Sequence, residues 1–436
     1  MSLLWPGAAA RNTMRRMPLR RLLALTLALQ AGPALAAPPV QLVETRPVES
    51  ALGNPALPAA QPVWIEMIGA ARKSLDIEQF YLSTWPGEPM EGVIDAIGAA
   101  AKRGVRVRLL LDQRMRRTYP QPAESLGAVP GIEVRSISLG PIAGGIQHAK
   151  FFIVDGQEIF LGSQNFDWRA LEHIHELGVR VRDASVAQTL GEAFEWDWAA
   201  AGDQAAGRDS TGARVRSSPP KAGRRAAMVR IAQAAGDTVE VWPSYTPKSF
   251  IPDTALWDRD AIVRALDAAR REVVVQLLTY SIGGHGDRDS TIDAALRRAA
   301  GRGVRVRLVV SDWEADNPRI NDLQSLAGTP GVEARLSTVP EWSGGYIPFA
   351  RVEHCKYMVV DSLWTWVGTD NWEPGYFHGT RNVAVTLRNR AIALEARKIF
   401  EASWNATGNR VVKPGEKYER KAHGATPPAG KTAYGK

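Results

Sequence analysis

Cysteine is almost absent from this chain, since its 436 residues include only Cys355. One thiol excludes any intramolecular disulfide, even for a protein exported to an oxidising compartment. Long hydrophobic runs are also scarce. The apolar stretch from Leu22 to Leu29 is too short to span a bilayer, and no other segment of the sequence reaches that length. We therefore expect a mature chain without a transmembrane anchor.

Acidic residues are the minority among charged ones, with 46 Asp and Glu against 54 Lys and Arg, which gives a net charge of +8. An excess of positive charge favours polyanionic partners such as nucleic acid or anionic lipid headgroups, and charge alone does not separate the two. The length and a hydrophobic fraction of 45% are sufficient for two domains of ordinary size.

The N-terminal residues have the organisation of an export signal. A basic region precedes the apolar run, and Ala34-Leu35-Ala36 then matches the small-residue cleavage pattern. The arginines of the basic region are Arg11, Arg15, Arg16, Arg20 and Arg21. We predict that residues 1–37 are a cleaved signal peptide and that the mature protein is periplasmic or secreted.

One pattern, His-x-Lys-x4-Asp-x6-Gly-Ser/Thr-x-Asn, occurs twice. The first copy is His148, Lys150, Asp155, Gly162, Ser163 and Asn165, and the second is His354, Lys356, Asp361, Gly368, Thr369 and Asn371. Six positions matching at fixed spacing, inside a longer internal repeat, leave little room for chance.

The spacing of the pattern has a chemical meaning. Each motif runs into an apolar segment typical of a buried strand, and side chains alternate along a strand, so His148 and Lys150 share one face while Ala149 faces away. Burying such polar groups without partners would be costly, which favours a functional role. Two copies facing each other would offer a phosphodiester a nucleophile, a proton source and donors for its oxygens.

The repeat extends beyond the motif and predicts the fold. Gly104 to Leu109 recurs as Gly303 to Leu308, and each half reads as helices alternating with strands around a mixed sheet, hence an α/β fold. We expect the two glycines to cap helices and the arginines that follow them to lie on the outer face. The predicted divisions are a signal peptide (1–37), a first domain (38–200), a linker (201–236), a second domain (237–412) and a disordered basic tail (413–436).

With this duplicated motif the chain resembles the phospholipase D superfamily. The resemblance implies two pseudo-twofold-related domains with the active site at their interface. Within the superfamily, Leu161 to Arg169, Glu176 to Val179 and Ile347 to Val352 are similar to phospholipases D three and four, which are 5′ exonucleases on single-stranded nucleic acid. This likeness covers roughly residues 40 to 410, although the paired cysteines of that branch are missing.

The resemblance also implies a two-step mechanism without metal or cofactor. His148 would attack phosphorus to form a phosphohistidine while His354 protonates the leaving oxygen and then activates water or an alcohol. The groups implied to hold the phosphate oxygens are Lys150, Lys356, Asn165 and Asn371. Ser163 and Thr369 would support these amides or touch the phosphate, whereas Asp155 and Asp361 would be structural.

The two halves differ at one position that bears on mechanism. Glu176 follows His148 by the same interval at which Asn382 follows His354. Superfamily members commonly carry a carboxylate there, so the resemblance implies that Glu176 orients His148 and that Asn382 is a neutral counterpart for His354. His173 and His175 beside two glutamates resemble a metal cluster, but we interpret them as exposed, alternating side chains.

The sequence therefore predicts a metal-independent phosphodiesterase acting through a phosphohistidine. Its substrate would be single-stranded nucleic acid or phospholipid, and the alternative is a phospholipase D or phosphatidyltransferase of the cardiolipin synthase kind, with peripheral membrane contact. An aromatic, basic groove would favour nucleic acid, and a wide apolar rim would favour lipid. Phe166 and Trp372, which follow the motif asparagines, are candidates for base stacking but fit core packing better.

Overall fold

The computed structural model describes residues 37–208, 228–233, 236–284, 287–315, 318–419, 421 and 424–434. The predicted signal peptide therefore lies outside the described residues apart from residue 37, as does most of the predicted linker. Within these ranges, no helix combines the length and the apolar character that crossing a bilayer requires.

The first half is built from nine strands and seven helices. The strands are β1 (Val40–Thr45), β2 (Ser74–Gln79), β3 (Leu82–Ser83), β4 (Arg106–Asp112), β5 (Ile132–Ile137), β6 (Phe151–Val154), β7 (Glu158–Gly162), β8 (Phe166–Asp167) and β9 (Glu176–Arg182). The helices are α1 (Ala60–Ala70), α2 (Met90–Lys102), α3 (Gln113–Thr118), α4 (Pro120–Gly127), α5 (Gly140–Ala143), α6 (Trp168–Glu172) and α7 (Ala184–Ala205).

The second half repeats this plan. Its strands are β10 (Val229–Ala232), β11 (Thr238–Thr246), β12 (Glu272–Leu277), β13 (Gly283–Gly284), β14 (Asp287–Arg288), β15 (Arg305–Ser311), β16 (Val332–Ser337), β17 (Tyr357–Val360), β18 (Trp364–Gly368), β19 (Asn382–Arg388) and β20 (Arg410–Val411). Its α-helices are α8 (Asp258–Ala268), α9 (Thr291–Gly301), α10 (Arg319–Ala327), α11 (Pro374–His378) and α12 (Arg390–Trp404). Short 3₁₀ helices lie at Lys248–Phe250, Thr254–Leu256 and Asp312–Ala315.

Each half contains one mixed sheet, and the strand order is the same in both. The first sheet runs β1-β9-β7-β6-β2-β4-β5, and the second runs β11-β19-β18-β17-β12-β15-β16 with β10 and β20 added at its edges. Strands β2, β4 and β5 are parallel, as are β12, β15 and β16, and the other pairs of these two sheets are antiparallel. The predicted α/β class and the duplicated domain plan are confirmed.

The helix before each central parallel strand ends on a glycine. Gly104 and Gly303 have φ of +92° and +86°, a conformation that costs glycine little. The prediction that both cap helices is correct. The chain then turns directly into β4 and β15, the strands that lead to the cleft.

The arginines of these strands are not all on an outer face, as we had expected. Arg106 is exposed, but Arg108 is only 7% exposed beneath α7, where it donates to Asp76 at 2.6 Å and to Glu195 at 2.6 Å. Arg307 has the corresponding position under α12 and donates to Glu401 at 2.6 Å. Pairing with carboxylates permits this burial.

The predicted linker and tail are shorter than the sequence indicated. Helix α7 continues to Ala205, and β10 pairs with β11, so both ends of the 201–236 segment belong to the folded halves. The tail was predicted to be disordered, yet Gln324 donates to the carbonyls of Lys413 and Glu416, and the Tyr346 amide donates to the carbonyl of Thr432 at 3.0 Å. The described tail residues pack on both halves, since the Tyr434 hydroxyl also donates to Glu88 at 2.9 Å and its ring stacks on Trp85.

Candidate active site

The motif histidines and lysines lie just before the buried strands β6 and β17. His148 and His354 are 5% and 9% exposed, while Lys150 and Lys356 are fully buried. Because the strands are packed on both faces, the polar side chains at their N-terminal ends are held in place by surrounding structure. The histidines keep a small accessible surface, whereas the lysines keep none.

Backbone hydrogen bonds cross between the halves at each motif. The His148 amide donates to the carbonyl of Arg381 at 3.0 Å, and the His354 amide donates to the carbonyl of His175 at 2.9 Å. Each motif therefore enters beside the strand, β19 or β9, of the opposite half. This exchange places the two motifs on one shared cleft, in agreement with the pseudo-twofold arrangement that the resemblance implied.

The exchange also reverses the expected partners of the histidines. Glu176 lies 2.8 Å from Nδ1 of His354, through its Oε2, and Asn382 lies 2.9 Å from Nδ1 of His148, through its Oδ1. The prediction that Glu176 orients His148 is wrong. The reason is topological, since β9 and β19 each carry their polar residue across the interface rather than back to their own motif.

Asn382 determines the tautomer of His148. Its Nδ2 donates to the carbonyl of Tyr376 at 3.0 Å and to Oγ1 of Thr246 at 3.2 Å, so its Oδ1 must face the imidazole. A carbonyl oxygen there requires a proton on Nδ1 of His148. The other ring nitrogen, Nε2, then carries a lone pair.

Burial and charge keep His148 neutral. Desolvation, followed by the ammonium groups of Lys150 and Lys356, lowers the pKa of this imidazole well below its ordinary value. An amide partner offers no negative charge to counteract them. His148 is thus an unprotonated base with its free nitrogen available for attack.

The Glu176–His354 pair carries a proton that the other pair lacks. Burial raises the pKa of Glu176 to about 8, although Lys356 opposes the shift, and burial together with Lys356 lowers the pKa of His354 well below its ordinary value. At neutral pH the shared proton therefore lies between Glu176 and Nδ1 of His354. This leaves Nε2–H of His354 as a donor.

The backbone of each motif orients its own lysine through a hydrogen bond. Nζ of Lys150 donates to the carbonyl of His148 at 2.6 Å, and Nζ of Lys356 donates to that of His354 at 2.7 Å. Burial is the largest cause that lowers the pKa of Lys356, to about 8, and burial followed by the charge of Lys356 lowers the pKa of Lys150 well below its ordinary value. Two desolvated ammonium groups need an anion, which a phosphodiester would supply.

The remaining motif residues divide into two groups. Oδ1 of Asn165 and of Asn371 is buried and has no hydrogen-bond partner among the described residues, and because an amide oxygen only accepts, any hydrogen bond from these side chains to a phosphate oxygen must come from Nδ2. Ser163 and Thr369 instead hold the crossing strands: the amide of Leu177 donates to Ser163 Oγ at 3.0 Å, and Thr369 Oγ1 donates to Asn382 Oδ1 at 3.0 Å.

Asp155 and Asp361 lie at the opposite ends of the motif strands from the histidines. Asp155 accepts the amides of Arg72, Lys73 and Ser74, and Asp361 accepts those of residues 270–272. Although burial alone would raise it, the pKa of Asp155 is lowered by these N–H groups. Their position agrees with the structural role that we expected.

His173 and His175 are buried, which corrects the expectation that they are exposed. Nδ1 of His175 lies 2.7 Å from Glu353 and Nε2 lies 2.9 Å from Glu44. Although desolvation opposes it, Glu353 and Glu44 raise the pKa of His175 to about 10. His175, Glu353 and Cys355 cluster closely enough to suggest metal ligands, but both imidazole nitrogens of His175 are already paired with carboxylates, so the cluster is an ion-pair network.

Aromatic rings surround His148 in a way that motif spacing could not indicate. Phe80 and Tyr376, one from each half, lie 5.1 Å and 5.0 Å from the imidazole in edge-to-face geometry. The position of Phe80 directly after β2 was the only sequence signal for it. Phe166 and Trp372, by contrast, are buried, so core packing is their role.

The chain matches a described family and is similar to several known proteins. The family described as "Cardiolipin synthase, PLD-like domain" matches residues 64–198 and 262–404. Phospholipase D Z of Dictyostelium discoideum is 29% identical over 385 residues, which cover 84% of this chain and 89% of that protein. The 5′-3′ exonuclease PLD3 of Homo sapiens is 30% identical over 384 residues, covering 80% and 75% of the two chains.

A solved structure shares the fold. The phosphatidylserine synthase of Haemophilus influenzae Rd KW20 superposes with a TM-score of 0.58 at 13% identity, and the match covers 81% of this chain and 85% of that one. At this identity the likeness concerns the arrangement of the two sheets and their helices.

Proposed function

The chain belongs to the phospholipase D superfamily and is a phosphodiesterase of that class, and we propose that it hydrolyses single-stranded nucleic acid through a phosphohistidine, without a metal. The observation that carries the mechanism is the unequal pairing of the two histidines. Nδ1 of His148 is paired with the amide oxygen of Asn382, whereas Nδ1 of His354 is paired with the carboxyl group of Glu176.

In the first step the lone pair of His148 Nε2 attacks phosphorus. An N–P bond forms, the bond from phosphorus to the leaving oxygen breaks, and that oxygen takes the proton from Nε2 of His354. The Glu176 carboxyl then passes its proton to Nδ1 of His354. Lys150, Lys356, Asn165 and Asn371 donate to the non-bridging oxygens as negative charge grows on them.

In the second step His354 acts as a base. Its Nε2 takes a proton from water while Nδ1 returns its own to Glu176, and the water oxygen bonds to phosphorus as the N–P bond breaks. His148 leaves as the neutral tautomer that Asn382 stabilises. At the end of the cycle His148, His354 and Glu176 have regained their starting protonation states. His354 has alternated between two neutral tautomers, and His148 has alternated between the free and the phosphorylated imidazole.

Three observations support nucleic acid as the substrate. The similarity to PLD3 extends over most of the chain, and aromatic rings border His148. The exposed large hydrophobic side chains of the described residues are Ile65, Trp85, Met228, Phe349, Leu394 and Val411. Single exposed apolar side chains of this number are ordinary on protein surfaces and do not by themselves indicate a lipid-binding face.

The predicted export signal adds a location to the proposal. A chain released after cleavage near residue 37 would act in the periplasm or outside the cell. Foreign or released single strands would be its substrates there, and a peripheral encounter with a membrane would not be needed for catalysis.

The decisive experiment incubates the purified mature chain in EDTA with labelled single-stranded DNA and, separately, with vesicles of phosphatidylcholine and of cardiolipin. We expect nucleotide release from DNA and no free headgroup from either vesicle. Cleavage of lipid without cleavage of DNA, or exchange of the headgroup for added ethanol, would identify a phospholipase or transferase instead. Activity that is lost in EDTA and restored by a divalent ion would contradict the metal-free mechanism.

A further inference from the structure

A line of aromatic rings leads away from His148 on one side of the cleft. Phe80 lies against the imidazole at 5.1 Å, Tyr81 follows at 5.5 Å from Phe80, and Tyr119 stacks on Tyr81 at 5.3 Å with an angle of 28°. All three side chains are only partly buried. Successive aromatic rings that keep some accessible surface at these separations are typical of surfaces that stack unpaired bases.

The end of this line is rigid. The Tyr81 hydroxyl donates to Asp167 at 2.7 Å, which fixes the ring on which Tyr119 stacks. Tyr119 lies between α3 and α4, its amide donates to the carbonyl of Met115 at 3.0 Å, and Pro120 begins the next helix. A preorganised ring loses little entropy when a flat ligand stacks on it.

Tyr119 also lines a cavity of about 620 Å³ between α2 and α4. This volume lies within the range of small-ligand sites. The other lining residues that matter are Thr84, Trp85, Glu91 and Asp95. Carboxylates would repel phosphate but can accept hydrogen bonds from base amino groups, so the cavity suits a base and not a backbone phosphate.

Positive charge lies beside the aromatic line. Helix α3, which precedes Tyr119, carries Arg114, Arg116 and Arg117, and none of the three forms an ion pair with a carboxylate among the described residues. Asp112 caps the N-terminus of this helix and also accepts the amide of Gln147 at 3.2 Å. The basic helix is thus anchored next to the residue that precedes His148.

We propose that Phe80, Tyr81 and Tyr119 form a base-stacking subsite for single-stranded nucleic acid, with the strand's phosphates facing the arginines of α3. This inference rests on the proposed nuclease function and assigns the side of the cleft over which the strand runs. The strand extends from the scissile phosphate at His148 towards the cavity at Tyr119. The first half of the chain binds it, and the second half contributes Tyr376 at the reacting end.

The experiment compares Tyr119→Leu with Trp242→Leu and Tyr119→Trp. Trp242 is a half-buried aromatic residue on β11 that packs on Trp364, at the end of β18 away from the motif, and it serves as the matched control. Each variant is assayed on a single-stranded 12-nucleotide DNA and on bis(4-nitrophenyl) phosphate, which has no bases.

We expect Tyr119→Leu to raise KM for the oligonucleotide about tenfold, equivalent to about 1.4 kcal/mol and within the range for base–aromatic stacking. Its rate on bis(4-nitrophenyl) phosphate should match the native protein. Tyr119→Trp should restore the oligonucleotide KM, and Trp242→Leu should leave it unchanged. Equal effects of Tyr119→Leu on both substrates would overturn the subsite, because they would indicate damage to the catalytic centre.

A measurement on the native sequence removes dependence on the folding of any variant. A phosphorothioate oligonucleotide carrying 5-iodouracil is bound and irradiated, and the crosslinked peptide is identified by mass spectrometry. Crosslinks to Phe80, Tyr81 or Tyr119 support the proposal, and crosslinks confined to other residues overturn it. If the native protein cleaves lipid vesicles and not DNA, the proposed function fails; if it cleaves DNA with unchanged Tyr119→Leu kinetics, only the subsite fails.

Discussion

The two sides of the cleft are built from the same arrangement of strands, but they place different residues beside the two histidines. Behind His148 is the neutral Asn382, whereas behind His354 is Glu176, and these two residues begin corresponding strands of the repeat. After β4 the chain forms the arginine-rich α3, whereas after β15 it forms a short helix, Asp312–Ala315, with buried acids. The duplicated elements supply the symmetric donors for phosphate, and the unequal residues supply distinct roles.

Residues outside the motif can therefore determine which nitrogen of each motif histidine is protonated. The two copies of the motif are chemically equivalent at His, Lys, Asp and Asn, so they cannot decide which histidine attacks. One amide and one carboxylate, each contributed by the opposite half, make the histidines unequal. The roles that we assign to His148 and His354 therefore rest on these partners and on the tautomers that they impose.

The largest expected effect comes from removing either histidine. His148→Ala and His354→Ala should each lower turnover of DNA by at least about 10⁴-fold. With an aryl phosphodiester, whose leaving group needs little protonation, His354→Ala should accumulate a phosphorylated protein and His148→Ala should not. Intact-mass spectrometry distinguishes them, and the reverse pattern would exchange the two roles.

The second prediction concerns the stability that buried His175 contributes. Arg381 occupies the corresponding position in the second half. His175→Gln would leave Glu44 and Glu353 buried without a cation and should cost about 3–5 kcal/mol. His378→Gln, a partly exposed histidine paired with Asp289, is the control and should unfold like the native protein. Urea denaturation of the three proteins measures the difference.

The same pair predicts a pH dependence. Because the folded-state pKa of His175 is raised from 6.5 to about 10, its contribution is complete below about pH 6.5 and is lost as the pH rises through 10. The guanidinium of Arg381, 2.6 Å from Asp197 in a fully buried pair, stays protonated over this range although burial opposes its charge. If the native protein and His175→Gln lose stability in parallel above pH 7, the ion pair is not the cause.

The third prediction alters the partners of the catalytic histidines. Glu176→Gln should reduce kcat about 10- to 100-fold and should remove the loss of activity that we expect above pH 8, where Glu176 ionises. Asn382→Asp should instead move the acidic limb of the profile to higher pH, since a carboxylate stabilises protonated His148. A pH–rate profile on DNA tests both, and identical profiles for the two variants would contradict unequal roles.

The smallest effect concerns the charge difference between the two sides. Arg116→Gln and Arg117→Gln should each weaken oligonucleotide binding and reduce the slope of log K against log salt concentration by about 0.7. Arg319→Gln, on the second side, should leave the slope unchanged because Arg319 already lies 3.9 Å from Glu373. Fluorescence anisotropy across a salt series provides the slopes, and equal slopes for all three variants would remove the asymmetry.

Much of the fold follows from local patterns. Gly104 and Gly303 end helices, and apolar runs after each motif form buried strands, because cap geometry and alternation act over a few residues. The linker and tail were misjudged for the opposite reason. Their composition is polar and rich in glycine and proline, yet β10 and the tail residues near Tyr346 gain order from distant surfaces to which they bind.

The sequence by itself determined the chemistry available to this protein: two histidines, two lysines and two amides at fixed spacing. Only the tertiary structure decided which residue serves which histidine, because β9 and β19 pass across the interface and exchange Glu176 and Asn382. It also brought Phe80, Tyr81 and Tyr119 into one line, although Tyr119 is far from the others in sequence. Strand alternation is a local property, whereas the pairing of two folded halves depends on contacts that no local spacing encodes.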